Sequence, residues 1–185
     1  MPFDEVTSEM RSAAKAVNFG IVYGISDFGL ARQLGISRKE AARYIELYFM
    51  RYPGVQTYLK ECVEQAKQQG AATTLFGRRR EMPELKSSNY NTRSFGERVA
   101  MNMPIQGTAA DIIKLAMVRV HNELKARGMK SELILQIHDE LIIDAVQEEA
   151  DAAAEILKSC MKNVVNLKVP LLAEVHTGHS WFDTK

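Results

Sequence analysis

The sequence predicts an α+β fold, and two observations carry the prediction. Through the first half, amphipathic runs at offsets of three and four residues alternate with Gly, Pro and Ser signals, the pattern of successive helices. In the second half, two β-rich runs, 133–137 and 141–146, flank the polar triplet His138-Asp139-Glu140, and helical periodicity lies on either side of them. With 185 residues and 46% hydrophobic content, the chain can bury one core or two small ones.

Taken in order, Gly24-Ile25-Ser26 interrupts the opening helix and Gly35 ends the next. Ser37-Arg38-Lys39-Glu40 has the Ser-x-x-Glu form of a capping box, so a third helix follows it. Pro53-Gly54 breaks that helix, and Val55, Tyr58, Leu59, Cys62, Val63 and Ala66 then form a buried stripe that runs to Gly70. Residues 72–82 read as a short hairpin and 87–91 as a loop. A helix through Glu97 and Arg98 should bend or break at Met103-Pro104 and restart at Thr108, with Asp111 placed to favour the helix dipole. Ile113, Met117, Val120 and Leu124 supply its apolar face. The hairpin 132–146 follows, then a helix with Ala150, Ala153, Ala154, Leu157, Cys160 and Met161 on one side, and 171–175 is a candidate last strand. The sequence has no internal repeat and no low-complexity segment.

Composition excludes several classes. No apolar run approaches the roughly 20 residues that span a bilayer, and the N-terminus lacks the basic and apolar regions of a signal peptide, which makes the cytosol the default compartment. Cys62 and Cys160 lack metal-ligand spacing and read as reduced, helix-packed thiols. A net charge of +1 argues against a uniformly cationic surface but allows a local basic groove. Arg78-Arg79-Arg80 is the densest cationic run; its plain alternative is a solvated loop.

Chemistry concentrates in two places. Arg11, Lys15, Phe19 and Tyr23 stand at four-residue intervals, which on a helix fan over roughly 120° and about 18 Å. Two cations followed by two rings suit a ligand with an anionic end and a flat end, such as a nucleoside triphosphate. The competing reading makes the rings core and the cations solvated surface. At the hairpin tip, Asp139 and Glu140 would repel each other unless solvent or a cation relieved them, and hard carboxylate oxygens suit magnesium. An ordinary exposed turn is the alternative. Similarly, Asn102 could cap the turn before Pro104, Gln106 could satisfy backbone at the break and His138 could be a turn residue.

The ordered series Arg-x-x-x-Lys-x-x-x-Phe-Gly-x-x-Tyr-Gly (Arg11 to Gly24), Glu97-Arg98-x-x-x-Asn102-x-Pro104-x-Gln106-Gly107-Thr108-Ala109-Ala110-Asp111 and Gln136-Ile137-His138-Asp139-Glu140-Leu141 resembles the blocks of family A DNA polymerases over nearly the whole chain. The resemblance implies a helical fingers subdomain at 1–92, with the short hairpin near 72–82. It also implies a C-terminal palm part at 93–185 that holds the metal-site hairpin 132–146, a helix and a last strand. It makes Arg11 and Lys15 phosphate ligands of the incoming nucleotide, with Lys15 also catalytic as an acid toward departing pyrophosphate. Phe19 would meet the sugar and Tyr23 the base-pair pocket.

Arg98, Asn102, Gln106 and His138 would contact primer or template. Asp139 would be the catalytic metal ligand with Glu140 second, for two magnesium ions in the complete site. That family's earlier palm motif, Asp-Tyr-Ser-x-Ile-Glu-Leu-Arg, is absent here, so the resemblance is to a C-terminal part whose isolated form should not extend a primer. The expected function is DNA-directed DNA polymerisation by a longer parent in the bacterial cytosol or nucleoid. Its partners would be primer–template DNA, deoxynucleoside triphosphates and the missing N-terminal parts. A noncatalytic nucleic-acid-binding module is the alternative. A helical interaction domain is a third reading, but it would show a broad apolar face rather than this series of cations and rings.

Overall fold

Thr7 starts the first helix: its hydroxyl accepts the Met10 backbone N–H at 3.2 Å and caps α1 (Ser8–Val22). The computed structural model describes residues 2–184. Ser26 caps α2 (Asp27–Leu34) in the same way, and Gly35 closes it at a left-handed φ of 66°. Ser37 and Glu40 form the expected capping box at the head of α3 (Arg38–Arg51). Pro53 opens α4 (Pro53–Gln69), where its missing N–H costs nothing, and Gly70 ends it. β1 (Ala71–Thr73) and β2 (Arg79–Glu81) pair antiparallel as the expected short hairpin.

Asn89 then accepts the backbone N–H groups of Asn91 and Thr92 and starts α5 (Tyr90–Asn102), so the end of the expected loop is a helix cap and first turn. The helical run does not break at Pro104. It widens into a π turn over Met103–Gly107, and α6 (Thr108–Ala126) begins directly after it. A wider turn absorbs a proline that cannot donate and would otherwise crowd the preceding carbonyl. Asp111 therefore lies in the first turn of a helix that continues from another, not at a free N-terminus, and its side chain is buried.

The chain divides into two compact units at Gly107/Thr108, and in the first of them α5 packs on α4 and on the 3-10 turn Pro83–Lys86. The first unit closes over Val63, Ala66, Ala72, Met82, Leu85 and Ala100. Ion pairs tie its helices: Arg38 to Asp27 at 2.7 Å and Lys67 to Glu97 at 3.1 Å. Cys62 is buried in α4, and burial pushes its thiol pKa up. The neighbouring Tyr58 hydroxyl is pushed up to about 12, first by burial and then by its hydrogen bond with Cys62.

In the second unit α6 and α7 (Ala150–Lys162) pack together, with β3 (Glu132–Ile137) and β4 (Glu140–Asp144) as an antiparallel pair. The core is Ile113, Ala116, Val120, Leu124, Leu141, Ala153, Ile156 and Val164. A bulge between Leu133 and Leu135 leaves Ile134 as the extra residue.

The expected last strand at 171–175 is absent. That segment alternates half-buried and exposed residues as a strand would, and Leu171 packs on the core, but none of its residues is in a ladder among the described residues. A strand needs a neighbour to accept its backbone bonds, and β3 and β4 pair only with each other. No described helix is long and apolar enough to cross a membrane.

Candidate functional site

Helix α1 buries only Ile21. Arg11 and Lys15 are exposed, Phe19 is 53% exposed and Tyr23 43%, so neither ring is a core residue. Two contacts hold the helix, one beside this face and one at its end. The Tyr48 hydroxyl of α3 donates to Asn18 Oδ1 at 2.9 Å, bracing the position before Phe19. At the C-terminus the Ile25 N–H reaches the Gly20 carbonyl at 2.8 Å and the Gly24 N–H reaches Ile21 at 2.9 Å, a Schellman closure around Tyr23. Gly24 has φ 70°, which strains any other residue, and a close approach: a Cβ there would lie 3.1 Å from Arg98 Cγ and from Met101 Sδ, which would have to give way.

That approach brings Arg98 of α5 to the end of the α1 face, where Arg98 Nη1 donates to Ser94 Oγ at 2.9 Å. Further along α5, Asn102 Oδ1 is enclosed and has no hydrogen-bond partner, so Asn102 does not cap the turn before Pro104. Gln106 is exposed in the π turn. The turn is seated on the small hairpin, since a Cβ at Gly107 would lie 2.6 Å from Thr74 Cγ2. The first unit thus carries Arg11, Lys15, Phe19 and Tyr23 along one helix, and Arg98, Asn102 and Gln106 along the run that meets its end.

The arginine run is partly neutralised within the same unit. Arg79 pairs with Glu81 at 2.7 Å and donates to the Gln69 carbonyl, while Arg80 faces Glu84 at 3.6 Å. Tyr48 and Thr74 support the site but had no sequence signal, because each acts across a contact distant in the chain and matches no local spacing.

The second unit carries the acids. Ile137 pairs with Glu140, leaving His138-Asp139 as a two-residue turn. His138 has φ 54°, the left-handed conformation that non-glycine residues seldom adopt and that a tight hairpin demands at its first position. Gln136 Nε2 donates to the His138 carbonyl at 2.7 Å and locks the turn. His138, Asp139 and Glu140 are all exposed.

The two acids are not equivalent: Asp139 is in the turn, whereas Glu140 is the first residue of β4, beside the buried Leu141. No group of three or more His, Cys, Asp or Glu side chains with metal-binding placement exists among the described residues. The hairpin therefore supplies two carboxylates. That fits the one or two that magnesium takes from a protein when substrate oxygens and water complete its shell.

An exposed helix face of cations and rings, a π turn that presents an amide and an acidic hairpin on an α+β frame make up a polymerase fingers-and-palm region. The family description "DNA polymerase family A" matches residues 1–183, and the chain belongs to that family. It is 58% identical over 181 residues to the DNA polymerase I of Caldicellulosiruptor bescii and 54% identical over 182 residues to that of Bacillus caldotenax. Each alignment covers 98% of this chain and 21% of the relative, so the chain spans about a fifth of their length. Among solved structures it is similar to the POL domain of Pol1 from M. smegmatis in complex with DNA primer-template and dNTP. That likeness has a TM-score of 0.95 at 45% identity and covers 100% of this chain and 32% of that one.

Proposed function

We propose that this chain is the C-terminal fingers and palm part of a bacterial DNA-directed DNA polymerase, which extends a primer 3′ end with deoxynucleoside triphosphates. The observation that carries the reading is the α1 face: Phe19 and Tyr23 stay exposed, at an energetic cost for apolar rings, and continue the four-residue series of the exposed Arg11 and Lys15. A nucleotide repays that exposure. Arg11 and Lys15 bind its phosphates, Lys15 holds a proton for the departing pyrophosphate, Phe19 meets the sugar and Tyr23 the base-pair pocket. The M. smegmatis polymerase domain, so similar in fold, was solved with dNTP and primer-template, and both ligand classes are assigned to this chain on that likeness.

Arg98, Asn102, Gln106 and His138 contact primer or template. For Gln and Arg the minor-groove acceptors shared by all matched pairs allow a check of geometry without sequence preference. Asp139, and Glu140 second, hold magnesium, which supplies charge stabilisation of the transferring phosphoryl group. The parent site takes two ions and needs a further carboxylate that this chain lacks, so the chain alone does not extend a primer. Fingers function is assigned to 1–92 and palm function to 93–185. The functional palm thus begins inside the first compact unit, and the protein acts in the bacterial cytosol or nucleoid.

The test is single-turnover incorporation by the full-length parent. Lys15→Ala should raise the apparent KM for dNTP and lower the maximal rate. Asp139→Ala should lower the rate while leaving primer–template affinity intact, because it removes a metal ligand and not a phosphate grip. Collapse of DNA affinity in Asp139→Ala with the saturated rate preserved would refute the metal assignment.

A further inference from the structure

Ile25 sits where two helices lack side chains. A Cβ at Gly20 of α1 would lie 2.9 Å from Ile25 Cγ2, and one at Gly29 of α2 would lie 2.9 Å from Ile25 Cγ1. Cγ2 therefore faces Gly20 and Cγ1 faces Gly29, while Cδ1 would lie 3.3 Å from the first Cβ and 3.5 Å from the second. Neither Cγ atom can swing away by itself, because both are attached at Cβ and move only with χ1, the stiff torsion of a β-branched residue; Cδ1 alone turns separately, with χ2. The backbone is fixed as well: the Ile25 N–H is bound to the Gly20 carbonyl at 2.8 Å, in the closure that also holds Tyr23 to Phe19 at 2.9 Å.

Ile25 also borders a cavity of about 360 Å³ whose apolar lining includes Ile21, Ile45, Phe49, Leu59 and Met101. Ile25 is thus held close between the two helices, with a cavity at its border. A group added at position 20 would have to displace Ile25, which α2 meets at Gly29.

We propose that Ile25 is a positioning residue, whose fit between Gly20 and Gly29 sets the pose of Phe19 and Tyr23 and thereby the grip on the incoming nucleotide. This rests on the reading of α1 as the nucleotide helix. Ile25 itself touches no substrate; it acts through the last turn of α1.

The experiment compares Gly20→Ala, Ile25→Ala and Gly20→Ala/Ile25→Ala in the full-length polymerase, with Lys15→Ala alongside. The measurements are dNTP KM, kcat, primer–template Kd and thermal midpoint. Gly20→Ala should raise dNTP KM on the order of 10-fold, as expected for a sub-ångström to ångström misplacement of binding groups, with DNA affinity unchanged. The double variant should recover most of that loss, since no isoleucine remains for the new methyl group to strike.

If Lys15→Ala raises KM while Gly20→Ala does not, or if the penalties of Gly20→Ala and Ile25→Ala simply add, the positioning role is overturned and the nucleotide-helix reading survives. A KM penalty that only tracks a falling thermal midpoint would make the effect a folding defect and also overturn it. Should Lys15→Ala bind and use dNTP as well as the unaltered enzyme, the nucleotide-helix reading fails, and the role of Ile25 fails with it.

Discussion

Ser131→Ala should weaken the second unit by about 2 kcal/mol, and the size of the effect follows from what the hydroxyl does. Ser131 is 2% exposed at the entrance to β3. Its hydroxyl accepts the Val146 N–H at 3.1 Å and donates to Glu149 Oε2 at 2.6 Å, joining the start of β3 to the segment that leaves β4. Removal of the oxygen strands a backbone donor in a part-buried position and deletes a bond to a charged acceptor. Glu149 is held further by the N–H groups of Lys130 and Ser131.

The assay is urea unfolding followed by the fluorescence of Trp181, the sole tryptophan, which lies in the second unit and so reports that unit. With a urea slope of about 1–3 kcal/mol/M, a loss of about 2 kcal/mol moves the midpoint by roughly 1 M at neutral pH. The pH dependence has a definite sign. The Ser131 hydroxyl first, and then the backbone N–H groups of Lys130 and Ser131, hold the Glu149 carboxyl below its ordinary 4.5. Its contribution is therefore fully present above that value and is lost as pH falls through the lower folded-state pKa. The gap between wild type and Ser131→Ala should narrow in that acid window. A midpoint shift under about 0.3 M at neutral pH, or a gap that does not change with pH, would refute the account.

Val120 is completely buried between α6 and its neighbours, so Val120→Ala should cost about 2–3 kcal/mol by the same fluorescence titration, whereas Val118→Ala, 58% exposed on the same helix, should stay within about 0.5 kcal/mol. In the parent enzyme, Arg11→Ala should weaken dNTP binding by about 1.5–3 kcal/mol, the value of a charge-assisted contact, as read from the KM ratio. Phe19→Tyr should accept dideoxynucleotides much more readily while leaving normal incorporation nearly intact, because the added hydroxyl can fill the place of the missing 3′-OH. An unchanged ratio of deoxy to dideoxy incorporation efficiency would mean that Phe19 does not face the sugar.

The helix ends were legible in the sequence because they are local chemistry. Gly24, Gly35 and Gly70 all adopt the left-handed φ that a helix C-terminus favours, and Ser37 needs only Glu40, three residues on, to complete its box. The proposed site residues stood out in the sequence for a related reason: Arg11, Lys15, Phe19 and Tyr23 follow one helix to its C-cap, and His138, Asp139 and Glu140 are consecutive at one hairpin.

What escaped depends on partners distant in the chain. Residues 171–175 have a strand's alternation, but a strand exists only against another, and among the described residues β3 and β4 pair with each other alone. Pro104 carries the ordinary signal for a break, yet the π turn that accommodates it is seated on Thr74, a contact no window around Pro104 contains. Ile25 shows the limit most sharply. In the sequence it is one more apolar residue after a glycine, and only the close approach of Gly20 and Gly29 to its side chain reveals that it fills the space between α1 and α2. Spacing along the chain can therefore nominate the groups that touch a ligand. The residues that aim those groups are found through the space that surrounds them.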